Sequence, residues 1–125
     1  MTLHTGIDII EIARIKRAQA RWGDTFLCRI YTEAEIQRYR RKPSSLAARF
    51  ACKEAVMKLL GTGRRGASWR EIETLSHPGG KPKVNLYGRA RNKADVLGVR
   101  EIEVSLSHSK EYAIASVITS TEGKP

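Results

Sequence analysis

From Ser44 to Leu60 the chain is apolar around most of a helical circumference, and that run constrains the architecture more than any other feature. A helix that is apolar on nearly all sides has to lie inside other layers of structure. At roughly 100° per residue, Ala47, Phe50, Ala51 and Met57 share one side, while Cys52, Val56 and Leu59 share another. Arg49 and Lys53 form the main polar stripe. Ser44 or Ser45 is the expected N-cap, and Gly61 the stop. Glu54 lies off the polar stripe, among the apolar positions. An ionised carboxylate left alone in such a setting is costly, so it calls for a cation. Lys58, one turn later, is one candidate. A hard metal ion is the other, since Mg²⁺ is commonly held by one or two carboxylates together with substrate phosphates and waters.

The remaining segments supply the layers around this helix. Residues 3–10 read as a strand with β-branched Ile7, Ile9 and Ile10, and Asp8 sits between two of them. Residues 11–22 read as a helix stopped by Gly23, with Ile12 and Ile15 inward and Arg14, Lys16, Arg17 and Arg21 covering much of the rest. Thr32 to Glu35 is a capping-box pattern that opens a second helix, ended before Pro43. Strands are expected at 69–76, 82–87, 101–107 and 112–119, a short helix at 88–97 closed by Gly98, and a hairpin at 108–111. Helices and antiparallel strands in separate blocks give an α+β fold. No linker or repeat divides the chain, so residues 1–125 are expected to form one domain, with 121–125 a frayed tail.

The charge narrows the partners. Twenty-three Lys and Arg against thirteen Asp and Glu give +10, more than the ~2–8 of an ordinary small domain. A polyanionic partner follows: a phosphorylated ligand, an acidic protein or nucleic acid. No apolar run is long enough for a membrane span, and no secretory signal is visible, which points to the cytoplasm. Cys28 and Cys52 have no metal-ligand spacing and read as buried thiols.

Two further elements carry possible chemistry. After the central helix comes a glycine-rich loop, where Gly61, Gly63 and Gly66 allow close backbone approach. Lys58, Arg64 and Arg65 bring positive charge to it, although it lacks the residue placement of a P-loop. His108 stands at the end of an apolar strand between Ser107 and Ser109. It reads either as a turn histidine bonded to nearby backbone or as a donor to a phosphate. No zinc or serine-hydrolase motif is present.

Three segments, in order, resemble the signatures of holo-acyl-carrier-protein synthases, the small phosphopantetheinyl transferases. They are Gly6-Ile-Asp8 with Arg14 downstream, Arg49-Phe-Ala-Cys-Lys53-Glu54-Ala55 running into Leu60-Gly-Thr-Gly63, and Val104-Ser-Leu-Ser-His108-Ser-Lys. Gly80-Lys81-Pro82 resembles the family's G-K-P turn. The resemblance covers Leu3 to about Ile118. It implies a phosphopantetheinyl-transferase-like fold, with an antiparallel sheet wrapped around the central helix. It also implies that Asp8 and Glu54 hold Mg²⁺, which bridges to the pyrophosphate of coenzyme A. The serine hydroxyl of an apo acyl carrier protein then attacks the β-phosphate, and 3′,5′-ADP leaves, as a step of fatty acid biosynthesis. Asp8, Glu54 and Lys58 would be catalytic. Lys58 and His108 would contact coenzyme A phosphates, Gly61, Thr62 and Gly63 would shape its site, and Lys81 and Pro82 would lie near the nucleotide end. The proton of the serine would go to a metal-bound water or a nearby carboxylate, with Glu35 a candidate. Arg14, Arg17 and Arg21 would dock the acidic carrier, and the assembly would be a homotrimer. The rival class is a small basic nucleic-acid-binding α+β domain; it accounts for the charge but leaves Glu54 unexplained. The resemblance favours the transferase, with neither nucleic acid nor membrane as partner.

Overall fold

The structure of the protein, a computed structural model, describes residues 1–63 and 66–121. The chain runs β1 (Thr2–Glu11), α1 (Ile12–Trp22), α2 (Asp24–Ile30), α3 (Glu33–Tyr39), α4 (Pro43–Leu60), a 3₁₀ turn (Trp69–Glu71), β2 (Ile72–Ser76), β3 (Pro82–Leu86), α5 (Gly88–Leu97), β4 (Glu103–His108) and β5 (Tyr112–Thr121). It is an α+β fold, as expected. The antiparallel strands divide into a three-stranded sheet, ordered β1-β5-β4, and a separate β2–β3 hairpin.

Helix α4 is central. It packs against β1, β5 and β4 on one side and β2 on another. Leu46, Ala47, Ala51, Cys52, Ala55 and Val56 are all fully buried along it. One detail differs from expectation. Neither Ser44 nor Ser45 caps the helix: Lys42 is the N-cap and Pro43 stands in the first turn. Proline has no N–H to leave unsatisfied there, and its fixed φ already suits the helix. The polar stripe of Arg49 and Lys53 is turned into the protein and not to solvent, the two residues being 7% and 0% exposed. The β2–β3 hairpin covers that side and supplies polar partners for both.

The chain between β1 and α4 holds one helix more than expected. Gly23, at φ 55°, ends α1, and α2 starts at once, burying Leu27 and Ile30. The α3 capping box is present: Glu35 N donates to the Thr32 hydroxyl at 3.3 Å, and Thr32 N donates to Glu35 Oε1 at 3.0 Å. The strand expected at 69–76 begins with the 3₁₀ turn, whose Ser68 and Glu71 form a second capping box.

Cys28 is exposed, against expectation, because it lies on the outward side of the unanticipated α2; Cys52 is buried, and both are free thiols. Thr121, the first residue of the expected tail, is buried and pairs with Thr2 in the sheet. Residues 122–125 and the loop arginines Arg64 and Arg65 lie outside the described residues. Among the described residues no helix is long and apolar enough to cross a membrane.

Candidate active site

Alternation along β1 turns Gly6, Asp8 and Ile10 toward α4, and Ile7 and Ile9 away from it. The contact begins at Gly6, where any side chain would overlap the carbonyl of Ala55. Strand and helix backbones therefore touch, and Asp8, two residues on, is brought against the last turns of α4. Lys58 Nζ donates to Asp8 Oδ1 and to the carbonyl of Ile7, each at 3.0 Å. The Lys58 side chain is 56% exposed and that of Asp8 21%. A pair this open contributes about 0–1 kcal/mol, so the ammonium can exchange Asp8 for another anion at little cost. Glu54 is half-buried and lies one helical turn before Lys58, on the neighbouring surface of α4. The fold thus groups three of the expected residues: Asp8 with Lys58 directly, and Glu54 a turn away.

This donor set suits a hard divalent cation. Asp8 and Glu54 offer carboxylate oxygens and no soft ligand. Among the described residues no group of three or more His, Cys, Asp or Glu forms a cage. Two carboxylates that leave the remaining positions to substrate phosphates and water are the usual provision for Mg²⁺.

The chain leaves α4 through Gly61, at φ 71°, a left-handed conformation that closes the helix. Thr62 donates its hydroxyl to the carbonyl of Gly63 at 2.9 Å. Gly66 is pressed against Thr62: a Cβ there would come within 2.5 Å of the threonine Cβ.

His108 ends β4 in an exposed position, its Nδ1 3.3 Å from the carbonyl of Ser109. The register Ile10↔Ala113↔His108 sets it on the same face of the sheet as Asp8, with β5 between them. Two strand spacings, about 10 Å, separate β4 from β1. The hairpin tip is also tied to α1, since Ile12 N donates to the carbonyl of Glu111 at 2.8 Å. Arg14, Arg17 and Arg21 are exposed on α1, opposite the buried Ile12 and Ile15. Arg21 also stacks on Trp22 at 4.9 Å.

Lys81 and Pro82 lie elsewhere. They line a cleft of about 690 Å³ between β3 and the segment entering β4, along with His77, Lys83, Arg91 and Arg100. Asp8, Glu54 and Lys58 do not line it, so within one chain the expected site residues fall into two groups.

Glu35 is not available as a base. It is fully buried, accepting from Thr32 N, from Thr74 N at 2.9 Å and from Lys53 Nζ at 2.7 Å. Lys53 also donates to the carbonyls of Trp69, at 3.1 Å, and Ile72. Burial pulls the lysine's pKa down, and the Glu35 carboxylate opposes that pull. Arg49 lies 3.9 Å over the Tyr39 ring and donates to Tyr39 Oη, Ser76 Oγ and the Thr74 carbonyl. Helical periodicity missed this network because every partner comes from a distant segment. The one local signal was Glu35 itself, whose capping-box role draws the carboxylate back toward the chain.

A sequence model described as the 4′-phosphopantetheinyl transferase superfamily matches residues 4–117. The chain is 57% identical over 116 residues to a holo-[acyl-carrier-protein] synthase of Dehalococcoides mccartyi strain CBDB1, covering 93% of this chain and 97% of that protein. It is 48% identical over 122 residues to the synthase of Koribacter versatilis, covering 94% and 98%. Among solved structures, the Helicobacter pylori holo-[acyl-carrier-protein] synthase in complex with coenzyme A is 35% identical, with a TM-score of 0.83, covering 93% of this chain and 99% of that one. The Neisseria meningitidis synthase is 33% identical, with a TM-score of 0.85, covering 94% and 98%.

Proposed function

The chain belongs to the 4′-phosphopantetheinyl transferase superfamily, in its holo-[acyl-carrier-protein] synthase family, and from that premise we propose that it transfers 4′-phosphopantetheine from coenzyme A to a serine of an apo acyl carrier protein. The carrier's hydroxyl oxygen bonds to the β-phosphorus and its proton passes to solvent. The bond from that phosphorus to the bridging oxygen breaks, and 3′,5′-ADP departs. Chemistry of this kind asks the protein mainly for positioning and neutralisation of charge.

The observation that carries the reading is the grouping of Asp8, Lys58 and Glu54 around the backbone contact of Gly6 with Ala55. Asp8 and Glu54 would hold Mg²⁺, which when bound neutralises charge on the pyrophosphate. Lys58, only weakly paired, turns its ammonium from Asp8 to a phosphate oxygen. His108, exposed on the same sheet face, donates to another. Gly61, Thr62 and Gly63 let backbone approach the ligand without obstruction. Lys81 and Pro82, across the β3–β4 cleft, serve the nucleotide end. Arg14, Arg17 and Arg21 dock the acidic carrier, on a helix that begins four residues after Asp8.

The same reading includes a homotrimer. The sheet face turned away from α4 presents Leu3, Ile7, Ile9, Tyr112 and Ile118, each more than 40% exposed. Register sets Ile118 opposite Thr5, diagonal to Leu3 and Ile7, and Tyr112 opposite Glu11, diagonal to Ile9, and an outward face with this many exposed apolar side chains is suited to burial between subunits. A trimer also gives the two groups of site residues a way to meet, across a subunit boundary. The same reading takes the chain as one transferase domain that acts in the cytoplasm and serves fatty acid biosynthesis.

The test is the intact mass of an apo acyl carrier protein after incubation with this protein, coenzyme A and Mg²⁺, beside a Glu54→Gln variant and an EDTA control. A phosphopantetheine-sized gain that is lost in both controls supports the reaction and the metal pair together. No gain with several carriers and folded enzyme overturns the reading. Salt-resistant retention on DNA, independent of coenzyme A, would then favour a nucleic-acid role for the basic surface.

A further inference from the structure

Lys53 stands next to Glu54 in sequence, but its ammonium points the other way, into the protein. Its three protons are given to three different elements: Glu35 at the start of α3, the Trp69 carbonyl in the 3₁₀ turn, and the Ile72 carbonyl opening β2. A buried ion pair is a poor stabiliser when compared with apolar packing of the same volume. What this one provides is a fixed geometry among α3, the 3₁₀ turn and β2, which it joins at a single point.

That geometry leads toward the glycine loop. Trp69 is held to α4 twice, by the Lys53 ammonium at its carbonyl and by Phe50, whose ring stacks on the indole at 4.9 Å and 24°. Two residues earlier Ala67 is fully buried. One residue before that, Gly66 abuts Thr62 with no space for a side chain. Thr62 in turn closes on Gly63. The chain therefore runs from the Trp69 carbonyl held by Lys53, through Ser68 and the buried Ala67, to Gly66, which lies against Thr62.

We propose that Lys53 is a positioning residue for the coenzyme A end of the site, acting through Trp69 and Gly66 to set where Thr62 and its flanking glycines stand. The proposal rests on the reading above, in which Gly61, Thr62 and Gly63 border the coenzyme A site. Lys53 touches no substrate in this account. On that reading its neighbour Glu54 serves the metal, and Lys53 serves the ligand's seat from about 100° round the same turn of helix.

Two variants address the two ends of this run. The first is Lys53→Met combined with Glu35→Gln, which removes both buried charges and leaves no stranded carboxylate. The second is Gly66→Ala, which keeps Lys53 and its partners but forces Gly66 and Thr62 apart. Each is checked for folding by thermal melting, for coenzyme A affinity by calorimetry without turnover, and for the KM of the carrier. Both are expected to weaken coenzyme A about tenfold, a coupling of about 1.4 kcal/mol, with the carrier KM unchanged. Folded variants that bind coenzyme A like the wild type overturn the proposal. So does a defect confined to the first variant, or a parallel rise in the carrier KM, which marks general loosening. If the wild type itself does not bind coenzyme A, the reading of the site falls and this proposal falls with it.

Discussion

Gly6 and Ala55 meet backbone to backbone, with the carbonyl oxygen of Ala55 occupying the space where a side chain of residue 6 would stand. That contact sets the distance between β1 and α4, and so between Asp8 and Lys58. Gly6→Ala has to push strand and helix apart. Overpacking of this kind costs about 1–3 kcal/mol. The expected outcome is a lower melting temperature together with weakened coenzyme A binding, and the two effects are measured on the same preparation.

The proposed docking role of α1 implies that carrier binding is separable from chemistry. Reversing charge at Arg14 or Arg21 is expected to raise the KM for the carrier several-fold while leaving coenzyme A affinity intact. The effect is larger at low salt than at high salt, because exposed charges are screened. A carrier titration at two ionic strengths reads it, and an unchanged KM removes the docking role of α1.

The outward sheet face yields a prediction about assembly. Ile7→Lys or Ile118→Lys places a charge in the middle of the exposed apolar surface. Light scattering after size exclusion is expected to show a trimer for the wild type and smaller species for the variants, with transferase activity falling alongside. A wild type that is monomeric at all concentrations, yet active, removes the trimer from the account.

Acid stability involves Glu73. Burial alone would push its carboxyl up. The Thr32 hydroxyl, the Asn85 amide, the Tyr87 phenol and the Lys53 ammonium more than offset this and hold it below the ordinary value of 4.5. A carboxyl whose folded pKa is depressed contributes stability that is present above its unfolded pKa and lost as pH falls through the folded one. Melting temperature is therefore expected to decline as pH drops below about 4.5, and the decline is expected to be shallower in Glu73→Gln. Glu71 behaves in the same sense. Its burial is outweighed by backbone donors at Ser68, Arg89 and Ala90 and by the charge of Arg89, so a residual slope in Glu73→Gln is expected.

The thiols differ in reactivity. Burial pushes the Cys52 thiol up to about 11, and Cys28 is exposed. Because the thiolate is the reactive form, a disulfide reagent is expected to titrate one thiol per native chain and a second only after denaturant is added.

What the sequence made legible was local. The apolar circumference of 44–60 marked the central helix, and Thr32 with Glu35 marked a helix start that the structure reproduces bond for bond. Glu54 was conspicuous because a carboxylate interrupts apolar periodicity. The misses were long-range. Lys53 and Arg49 read as a polar stripe, and its burial was not legible because their partners, Glu35, Tyr39, Thr74 and Ser76, come from other segments. Gly23 stops the first helix as read, but α2, which starts at once after it, was not legible, because one residue at positive φ suffices to redirect the chain into a new helix. Lys81 and Pro82 were joined to the site by resemblance, and within one chain they line a different cleft.

Strand β1 passes into α1 without an intervening loop, and the β4–β5 hairpin is fastened to that junction through Ile12 and Glu111. The carboxylate at Asp8 and the arginines of α1 are therefore carried on one stiff piece of chain. If α1 docks the carrier as proposed, the outer stripe from Arg14 to Arg21, about 10 Å long at 1.5 Å per residue, amounts to an address label printed on the handle of the tool. Rewriting that label would redirect the enzyme to a different carrier while the working end keeps its alignment, so specificity can diverge, in evolution or at the bench, without rebuilding the chemistry.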